Sequence, residues 1–353
     1  MTRDEAQGAR MDVGGITVLQ RSIKQLGRMS GVKVIVASDG TVDLPDPMPA
    51  NATVRQLAGD VPAAIASLQD ELGNPDVLRG DVVRVHFRRM DGGYRVVDEA
   101  TRRRAEDAVF ADLLRGDLGF VARHINKKIS FRITRYLLCK LPVTPNQVTM
   151  AGGLIALAGC LLIATGEKTA VLVGFLLAQL QSILDGCDGE LARVRLQQTA
   201  RGEWLDTVVD DLLNIALIGA TAVGLWRSGG STDSTWLALG AAGCAMLLVY
   251  MVIAYRELVK QGEGGDVLKI RWWWARGRDF KSLLAGRDDR SGFNLLVALG
   301  KRDFFVLAWL VLVILNQLPA VLVYGVVIAA IYFVVAVVQL VARPRPRHNT
   351  RST

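Results

Sequence analysis

The chain has 353 residues and a net charge of +8, and 51% of its residues are hydrophobic. This length leaves room for a soluble domain and a separate membrane domain. The net positive charge would suit nucleic-acid binding, but the basic residues are concentrated at the ends of long apolar segments, which indicates membrane topology and contact with anionic lipid instead. The four cysteines have no paired spacing, which excludes a disulfide framework and favours a reduced, cytoplasm-facing setting. The polar stretch Met1–Arg10 is not followed by an apolar run, so we expect no signal peptide.

Residues 1–118 predict a small α/β domain. Short apolar runs bounded by turn residues alternate with segments of helical periodicity, which is typical of that class. We expect strands at Gly31–Ser38, Asp81–Phe87 and Tyr94–Val97, and helices at Val18–Met29 and Glu99–Leu114.

Residues 119–147 predict an amphipathic helix on the inner membrane surface and the start of the first span. Four apolar residues recur at intervals of four, and basic residues fill the other faces: Ile125, Ile129, Ile133 and Leu137. A solvated helix packed on the soluble domain is the alternative. Pro145 suits the first turn of the helix that follows.

Residues 148–342 contain six segments long enough to cross a bilayer. They lie near Val148–Gly166, Thr169–Leu184, Gly202–Leu225, Trp236–Tyr255, Phe304–Gln317 and Pro319–Ala342, and the second and fifth are expected to extend into their polar flanks. Basic residues crowd Arg256–Arg302 and the tail 343–353. This bias predicts a multi-pass protein of the cell inner (cytoplasmic) membrane, with both termini on the cytoplasmic side.

Two pairs of aspartates lie at the ends of adjacent apolar segments. Asp185 and Asp188 are three residues apart, and Asp206 and Asp210 are four apart, so each pair shares one helix face. Each carboxylate would cost about 2.5–3.5 kcal/mol at the bilayer centre, so compensation by another group is expected. Gly202 lies on the same helix face as Asp206 and Asp210, and as a glycine it has no side chain to block close approach of a ligand.

Clustered carboxylate oxygens favour divalent cations, and two ions would clamp a diphosphate, with Arg193 adding a planar cationic fork. The alternative is that the aspartates cap helices or pair with Arg193, Arg195 and Arg201. Asp211 lies about 100° round the helix from Asp210, which predicts a structural polar contact. Cys187 is a soft ligand, poorly matched to hard cations, and is expected to serve packing.

The motif Asp185-x-x-Asp188-Gly189-x-x-Ala192-Arg193, followed after eight residues by Gly202-x-x-x-Asp206-x-x-x-Asp210, resembles the full signature of the CDP-alcohol phosphotransferase family. The resemblance extends over about residues 120–342 and includes Thr144–Thr149 at the first span. It implies an α-helical membrane protein with six transmembrane helices, usually a homodimer, and a cytoplasm-facing site. It also implies displacement of CMP from a CDP-linked donor by an alcohol.

Roles for individual residues follow from the same resemblance. Asp185, Asp188, Asp206 and Asp210 would bind two Mg²⁺ or Mn²⁺ ions, and Asp210 would also accept the proton of the alcohol. The nucleotide would be contacted by residues of the signature and of the first span: Gly189, Arg193, Thr199, Gly202, Asn146 and Thr149.

The N-terminal domain resembles the nucleotidyltransferase domains fused to some members of this family, through segments such as Val13–Ile23 and Leu78–Val83. The glycine-rich phosphate loop of that fold is missing, which predicts a non-catalytic remnant that orients or stabilises the membrane domain. Fused members of this kind act on inositol-type phosphates, which favours inositol or inositol phosphate as the acceptor.

The basic approach to the fifth span predicts a site for an acceptor phosphate at Arg290, Lys301 and Arg302. The alternative is that these residues enforce topology or bind lipid headgroups. Trp272–Trp274 predicts an interfacial anchor rather than a platform for nucleic acid.

Two other classes of protein use acidic residues in membrane helices. A magnesium-dependent membrane prenyltransferase would release pyrophosphate instead of CMP, and the Asp-Gly and Ala-Arg pairs argue against it. A transporter or metal channel would place carboxylates near mid-membrane and usually contains a repeated half, whereas no internal repeat is visible here.

Overall fold

The computed structural model describes residues 9–28, 34–38, 44–56, 82–83, 94–113, 126–229, 234–262, 264–272 and 302–341. The chain divides into two compact units. The N-terminal unit is 1–117 with 134–142 and 190–197, and the membrane unit is 118–133 with 143–189 and 198–353. Predictions at 121–125, 273–274, Arg290, Lys301 and 343–353 lie outside the described residues.

The N-terminal unit begins with a tight hairpin and a helix. Strands β1 (Asp12–Val13) and β2 (Ile16–Thr17) pair antiparallel around Gly14 and Gly15. Helix α1 (Val18–Gly27) follows directly. Its N-terminus is fixed by a capping box in which Thr17 and Gln20 each accept a backbone N–H of the other.

The other described strands of this unit are short and form two further two-stranded sheets, and the predicted strand residues 31–33, 81 and 84–87 lie outside the described residues. Strand β3 (Val34–Ser38) pairs in parallel with β4 (Ala52–Gln56), which the sequence did not predict, and β5 (Val82–Val83) pairs antiparallel with β6 (Tyr94–Arg95). Helix α2 (Glu99–Leu113) agrees closely with its prediction.

Helix α3 (Lys127–Tyr136) is amphipathic and leads into a 3-10 turn at Leu138–Lys140. Ile129 and Leu137 of the predicted apolar stripe are exposed, and the location of this helix on the membrane surface stays a prediction. In the N-terminal unit, Arg135 pairs with Asp107 at 2.5 Å.

Five helices of the membrane unit are long and apolar enough to cross a bilayer, and the protein is a membrane protein on this basis. They are α4 (Pro145–Ile163), α5 (Lys168–Val194), α6 (Ala200–Ser228), α7 (Thr235–Gln261) and α9 (Leu318–Val341). Helix α8 (Arg302–Ile314) has 13 residues, fewer than the roughly 20 that a span needs. The described residues therefore give five spans of full length where the sequence predicts six.

Close backbone contact and aromatic packing hold this unit together. A Cβ on Gly159 would lie 2.7 Å from the carbonyl oxygen of Gly174, and one on Gly174 would lie 2.5 Å from that of Gly159, so α4 and α5 approach closely. Trp309 of α8 meets Phe175 of α5 edge-on, with ring centroids 6.5 Å apart. This contact fixes α8 against α5 and places its first residue, Arg302, near the aspartates.

Candidate metal and nucleotide site

Three carboxylates meet between α5 and α6. Asp185 comes from α5, and Asp206 and Asp210 from consecutive turns of α6, where a spacing of four residues puts both on one face. One carboxylate oxygen from each lies within 4.8 Å of the others. Two helices of opposite direction thus assemble a site that neither forms alone.

Asp188 is not one of the three carboxylates within 4.8 Å of one another. It is buried, and the hydroxyl of Thr149 on α4 donates to Asp188 Oδ2, while the carbonyl oxygen of Pro145 lies 3.2 Å from the same hydroxyl. Thr149, which the sequence assigns to the nucleotide, therefore orients Asp188 in this structure.

Arg302 reaches into the acidic cluster from the start of α8. Its Nη1 pairs with Asp210 and lies 3.5 Å from Asp185 Oδ1, and its Nη2 donates to Gln181 Oε1 at 2.6 Å. Gln181 in turn donates to Asp210 Oδ1 at 3.4 Å. Sequence reasoning missed Gln181, although its position one turn before Asp185 on α5 was a usable signal.

The cluster fits divalent cations. Among the residues that the structure describes, the guanidinium of Arg302 pairs with two of these three carboxylates, so three negative charges against one positive charge leave two in excess when all are ionised. Within the described part of the chain, Asp206 Oδ1 is buried without a hydrogen-bond donor. Carboxylate oxygens whose negative charge is not neutralised by nearby cations are the ligands that Mg²⁺ and Mn²⁺ prefer.

Asp211 and Cys187 take the roles predicted for them. Tyr255 donates its hydroxyl to Asp211 Oδ2 at 2.8 Å, which ties α6 to α7 on another face from Asp210. Cys187 is fully buried, and its sulfur lies 3.5 Å from the carbonyl oxygens of Ser130 and Ile183. Both residues therefore serve packing of the helices around the cluster.

Three of the residues predicted to contact a nucleotide lie close together at the start of α6. Thr199 caps the helix and accepts the N–H of Gly202 at 3.0 Å. A Cβ on Gly202 would lie 3.2 Å from Asn146 Oδ1 and 3.1 Å from Thr199 Oγ1. Gly189 and Arg193 lie on the last turns of α5, and Arg193 is exposed. Of the predicted acceptor residues, only Arg302 belongs to the described part of the chain.

Membrane-length helices and a cluster of three carboxylates between two of them define a membrane protein with a candidate site for divalent cations. Residues 142–278 match the family described as CDP-alcohol phosphatidyltransferase. The match places a CDP-alcohol phosphatidyltransferase domain at these residues, which make up less than half of the chain.

Curated relatives give the same assignment. The chain is 29% identical over 209 residues to a bifunctional IPC transferase and DIPP synthase of Aquifex aeolicus, covering 58% of this chain and 43% of the relative. It is 37% identical over 191 residues to the protein of that name from Rubrobacter xylanophilus, covering 53% and 38%. It is 38% identical over 131 residues to a phosphatidylinositol phosphate synthase of Corynebacterium glutamicum, covering 36% and 56%.

The chain thus spans less than half the length of the two bifunctional relatives. The two activities in their names are consistent with the resemblance of the N-terminal domain to nucleotidyltransferases.

Proposed function

We propose that the protein moves a substituted phosphate group from a CDP-linked donor to the hydroxyl of a polar alcohol and releases CMP. The observation that carries this proposal is the meeting of Asp185, Asp206 and Asp210 within 4.8 Å, in the spacing of the family signature. The donor is CDP-diacylglycerol or a CDP-polyol. Inositol or inositol phosphate is the preferred acceptor, supported by the phosphatidylinositol phosphate synthase among the relatives.

Asp185, Asp188, Asp206 and Asp210 would hold two Mg²⁺ or Mn²⁺ ions. Bound ions of this kind supply charge neutralisation to a diphosphate and its leaving group. The buried, donor-free oxygen of Asp206 supports the assignment. Thr149 holds Asp188 in place through its hydroxyl, so it contributes to the site as a positioning group.

Asp210 is the proposed base. The alcohol oxygen forms a bond to the phosphorus of the transferred group, the P–O bond to CMP breaks, and the alcohol proton passes to the Asp210 carboxylate. Gln181 donates to Asp210 Oδ1 at 3.4 Å, which restrains that carboxylate. The three histidines, His86, His124 and His348, are far from the motif in sequence, which leaves a carboxylate as the base.

The nucleotide would lie against the start of α6. Asn146, Thr199 and Gly202 lie close together there, and the exposed Asn146 and Thr199 are accessible to a ligand. Gly189 and Arg193 complete the proposed contacts, with the Arg193 guanidinium binding phosphate oxygens. Arg302 would pair with the acceptor phosphate, together with Arg290 and Lys301.

The remaining features of the proposal follow the family. The protein would be a homodimer of the inner membrane, with six spans, the fifth near Phe304–Gln317, and with both termini and the active site in the cytoplasm. The N-terminal domain would comprise residues 1–118, and the juxtamembrane helix with the entry motif residues 119–147. The six-helix transferase domain would comprise residues 148–342, and the basic tail residues 343–353. The N-terminal domain would be non-catalytic.

A CMP-release assay on the purified full-length protein tests the proposal. Radiolabelled CDP-diacylglycerol and CDP-inositol are each incubated with a panel of alcohols, including inositol and inositol phosphate, with and without Mg²⁺. We expect CMP and a labelled phosphodiester with at least one pair, and loss of both when a chelator removes the metal. Release of pyrophosphate from a prenyl diphosphate, without CMP in any arm, would reject the proposal in favour of a prenyltransferase.

A further inference from the structure

Helix α5 passes from one compact unit into the other. It runs without interruption from Lys168 to Val194 and carries Asp185 and Asp188 in the membrane unit. Its last turn, with the residues that follow, belongs to the N-terminal unit as Glu190–Gln197. The contacts that hold the end of this helix are therefore contacts of the N-terminal unit.

Three basic residues on one face of α1 donate to the carbonyl oxygens at this end of α5. Arg21 donates through Nη2 to Val194 O and, at 2.9 Å, to Val13 O. Arg28 donates to Leu196 O at 2.7 Å, and Lys24 Nζ lies 3.5 Å from Arg195 O. The last carbonyl groups of a helix lack intrahelical donors and carry the negative end of its dipole, so cations are favoured there.

Arg21 is buried at this position and does not lie on the surface. It is 2% exposed, and burial lowers its pKa to about 10, so the side chain is still cationic at neutral pH. A buried cation is unfavourable unless it is well paired. Two carbonyl oxygens and the helix terminus pair with Nη2, while Nε is buried without a partner among the described residues, so the contacts of Nη2 with Val13 O and Val194 O are the ones that hold the side chain at the end of α5.

The β1–β2 hairpin contacts the same segment. Gly14 has φ of +65°, and a Cβ there would overlap Val194 Cγ1. Arg195 donates to the carbonyl oxygens of Leu138, Cys139 and Leu141 at 3.0, 3.3 and 2.8 Å. Residues 190–197 are thus held from two sides within the N-terminal unit.

The part of α5 that carries Asp185 and Asp188 also contains two glycines, which weaken the helix there. Gly186 and Gly189 flank Asp188 in the helix, and each glycine weakens a helix by roughly 0.5–1 kcal/mol relative to alanine. A helix that is weak at this point and free at its end would fray through the residues that carry the aspartates. Holding the carbonyl groups after the glycines prevents this.

We propose that Arg21 is a positioning residue for the active site, and that the N-terminal domain acts as a clamp on the end of α5 that keeps Asp185, Asp188 and Arg193 in helical register. The catalytic part of this proposal rests on the proposed function. The structural part, protection of residues 185–197, can be measured without turnover.

The test compares full-length wild type with Arg21→Gln, Arg21→Lys and the control Arg103→Gln. Arg103 is an exposed arginine of the same unit that pairs with Glu99. Amide hydrogen exchange of residues 185–197 is measured first. We expect about tenfold faster exchange in Arg21→Gln, the factor that the loss of one charge-assisted hydrogen bond carries. Arg21→Lys should recover part of the protection, and Arg103→Gln should match wild type.

Kinetics on the same samples separate positioning from general destabilisation. We expect Arg21→Gln to lower kcat about tenfold and to raise the Mg²⁺ concentration for half-maximal activity, with an unchanged KM for the donor. Unchanged exchange at 185–197 in folded Arg21→Gln, or unchanged kcat with increased exchange, overturns the proposal. Absence of CMP release by wild type rejects the proposed function, while the exchange result still decides the clamp.

Arg28→Gln provides the same test if Arg21→Gln does not fold, because Arg28 is exposed yet donates to Leu196 O. Gly14→Ala tests the contact between the β1–β2 hairpin and residues 190–197. It should increase exchange at 190–197, and adding Val194→Ala, which removes the overlapping Cγ1, should restore part of the protection. Failure of Arg28→Gln and of Gly14→Ala to change exchange there counts against the clamp.

Discussion

Two neighbouring stretches in the C-terminal third of α5 compensate buried charge in different ways. In the membrane unit, Asp185 shares a cluster with Asp206 and Asp210, and Arg302 is the cation that pairs with two of the three. In the N-terminal unit, the buried Arg21 is paired with backbone carbonyl oxygens. The first arrangement retains excess negative charge that a ligand can neutralise, whereas the second directs its cation at backbone oxygens through Arg21 Nη2, with Nε buried and unpaired among the described residues. One helix therefore joins a binding site to a structural anchor.

Asp210→Asn is the strongest test of the first arrangement. The amide keeps the shape but cannot accept the proton of the alcohol, so we expect kcat to fall by about 10²- to 10⁴-fold. Binding of the CDP donor should remain measurable by isothermal titration.

Asp211→Asn is the matched control for this change. It alters the neighbouring carboxylate, which accepts from Tyr255 on another face of α6. It should retain turnover within a few-fold of wild type. Activity of Asp210→Asn close to that of Asp211→Asn would contradict the role of Asp210 as base.

Arg302→Gln tests whether this arginine serves the acceptor. Removing a cation from the cluster should tighten Mn²⁺ binding, measured by electron paramagnetic resonance, because Arg302 and a divalent ion compete for Asp185 and Asp210. Turnover with a phosphorylated acceptor should nevertheless fall about tenfold, the effect of losing one charge-assisted contact to phosphate. Equal losses with phosphorylated and unphosphorylated alcohols would favour the alternative role in topology or lipid binding.

Gly174→Ala tests the close contact between α4 and α5 in the membrane unit. A Cβ at this position would lie 2.5 Å from Gly159 O and 2.6 Å from Ile163 Cγ1, so α4 and α5 must separate. Overpacking of this kind costs about 1–3 kcal/mol, and thermal unfolding in detergent should report it. Gly219→Ala is the control, since its nearest contact would be Cys244 Sγ at 3.7 Å. Equal stability of the two variants would show that the glycine contact is unimportant.

The sequence predicts the acidic cluster because local periodicity determines it. Residues three or four apart share a helix face, so the two aspartate pairs were already grouped before α5 and α6 were brought together. The ion pairs of Arg302 were not predictable in this way, because Arg302 is 117 residues from Asp185 in the chain. Its contacts depend on how α8 packs against α5 through Trp309, which no local pattern encodes.

Boundaries and short strands were predicted less well, for physical reasons. The second span was expected to extend beyond Leu184 into its polar flank, and α5 does continue to Val194, but hydropathy alone did not give the residue where it ends. Strands β1 and β2 have two residues each, too few for a period to show. Their position is set by the Gly14–Gly15 turn and by the fit of that turn against Val194.

Glu99→Gln should change stability least of these variants, because the charge of Glu99 is exposed rather than buried. Hydrogen bonds from Arg102 and Arg103 lower the pKa of Glu99 to about 2 from its ordinary value of 4.5. A lowered folded-state pKa means that the stabilisation is present above pH 4.5 and is lost as pH falls toward 2. Because Glu99 is exposed and solvent screens its pairs, we expect only a slight increase in hydrogen exchange of α2 at pH 7. The difference between variant and wild type should shrink as pH falls from 4.5 to 2. A difference that persists at pH 2 would mean that Glu99 acts through packing and not through its charge.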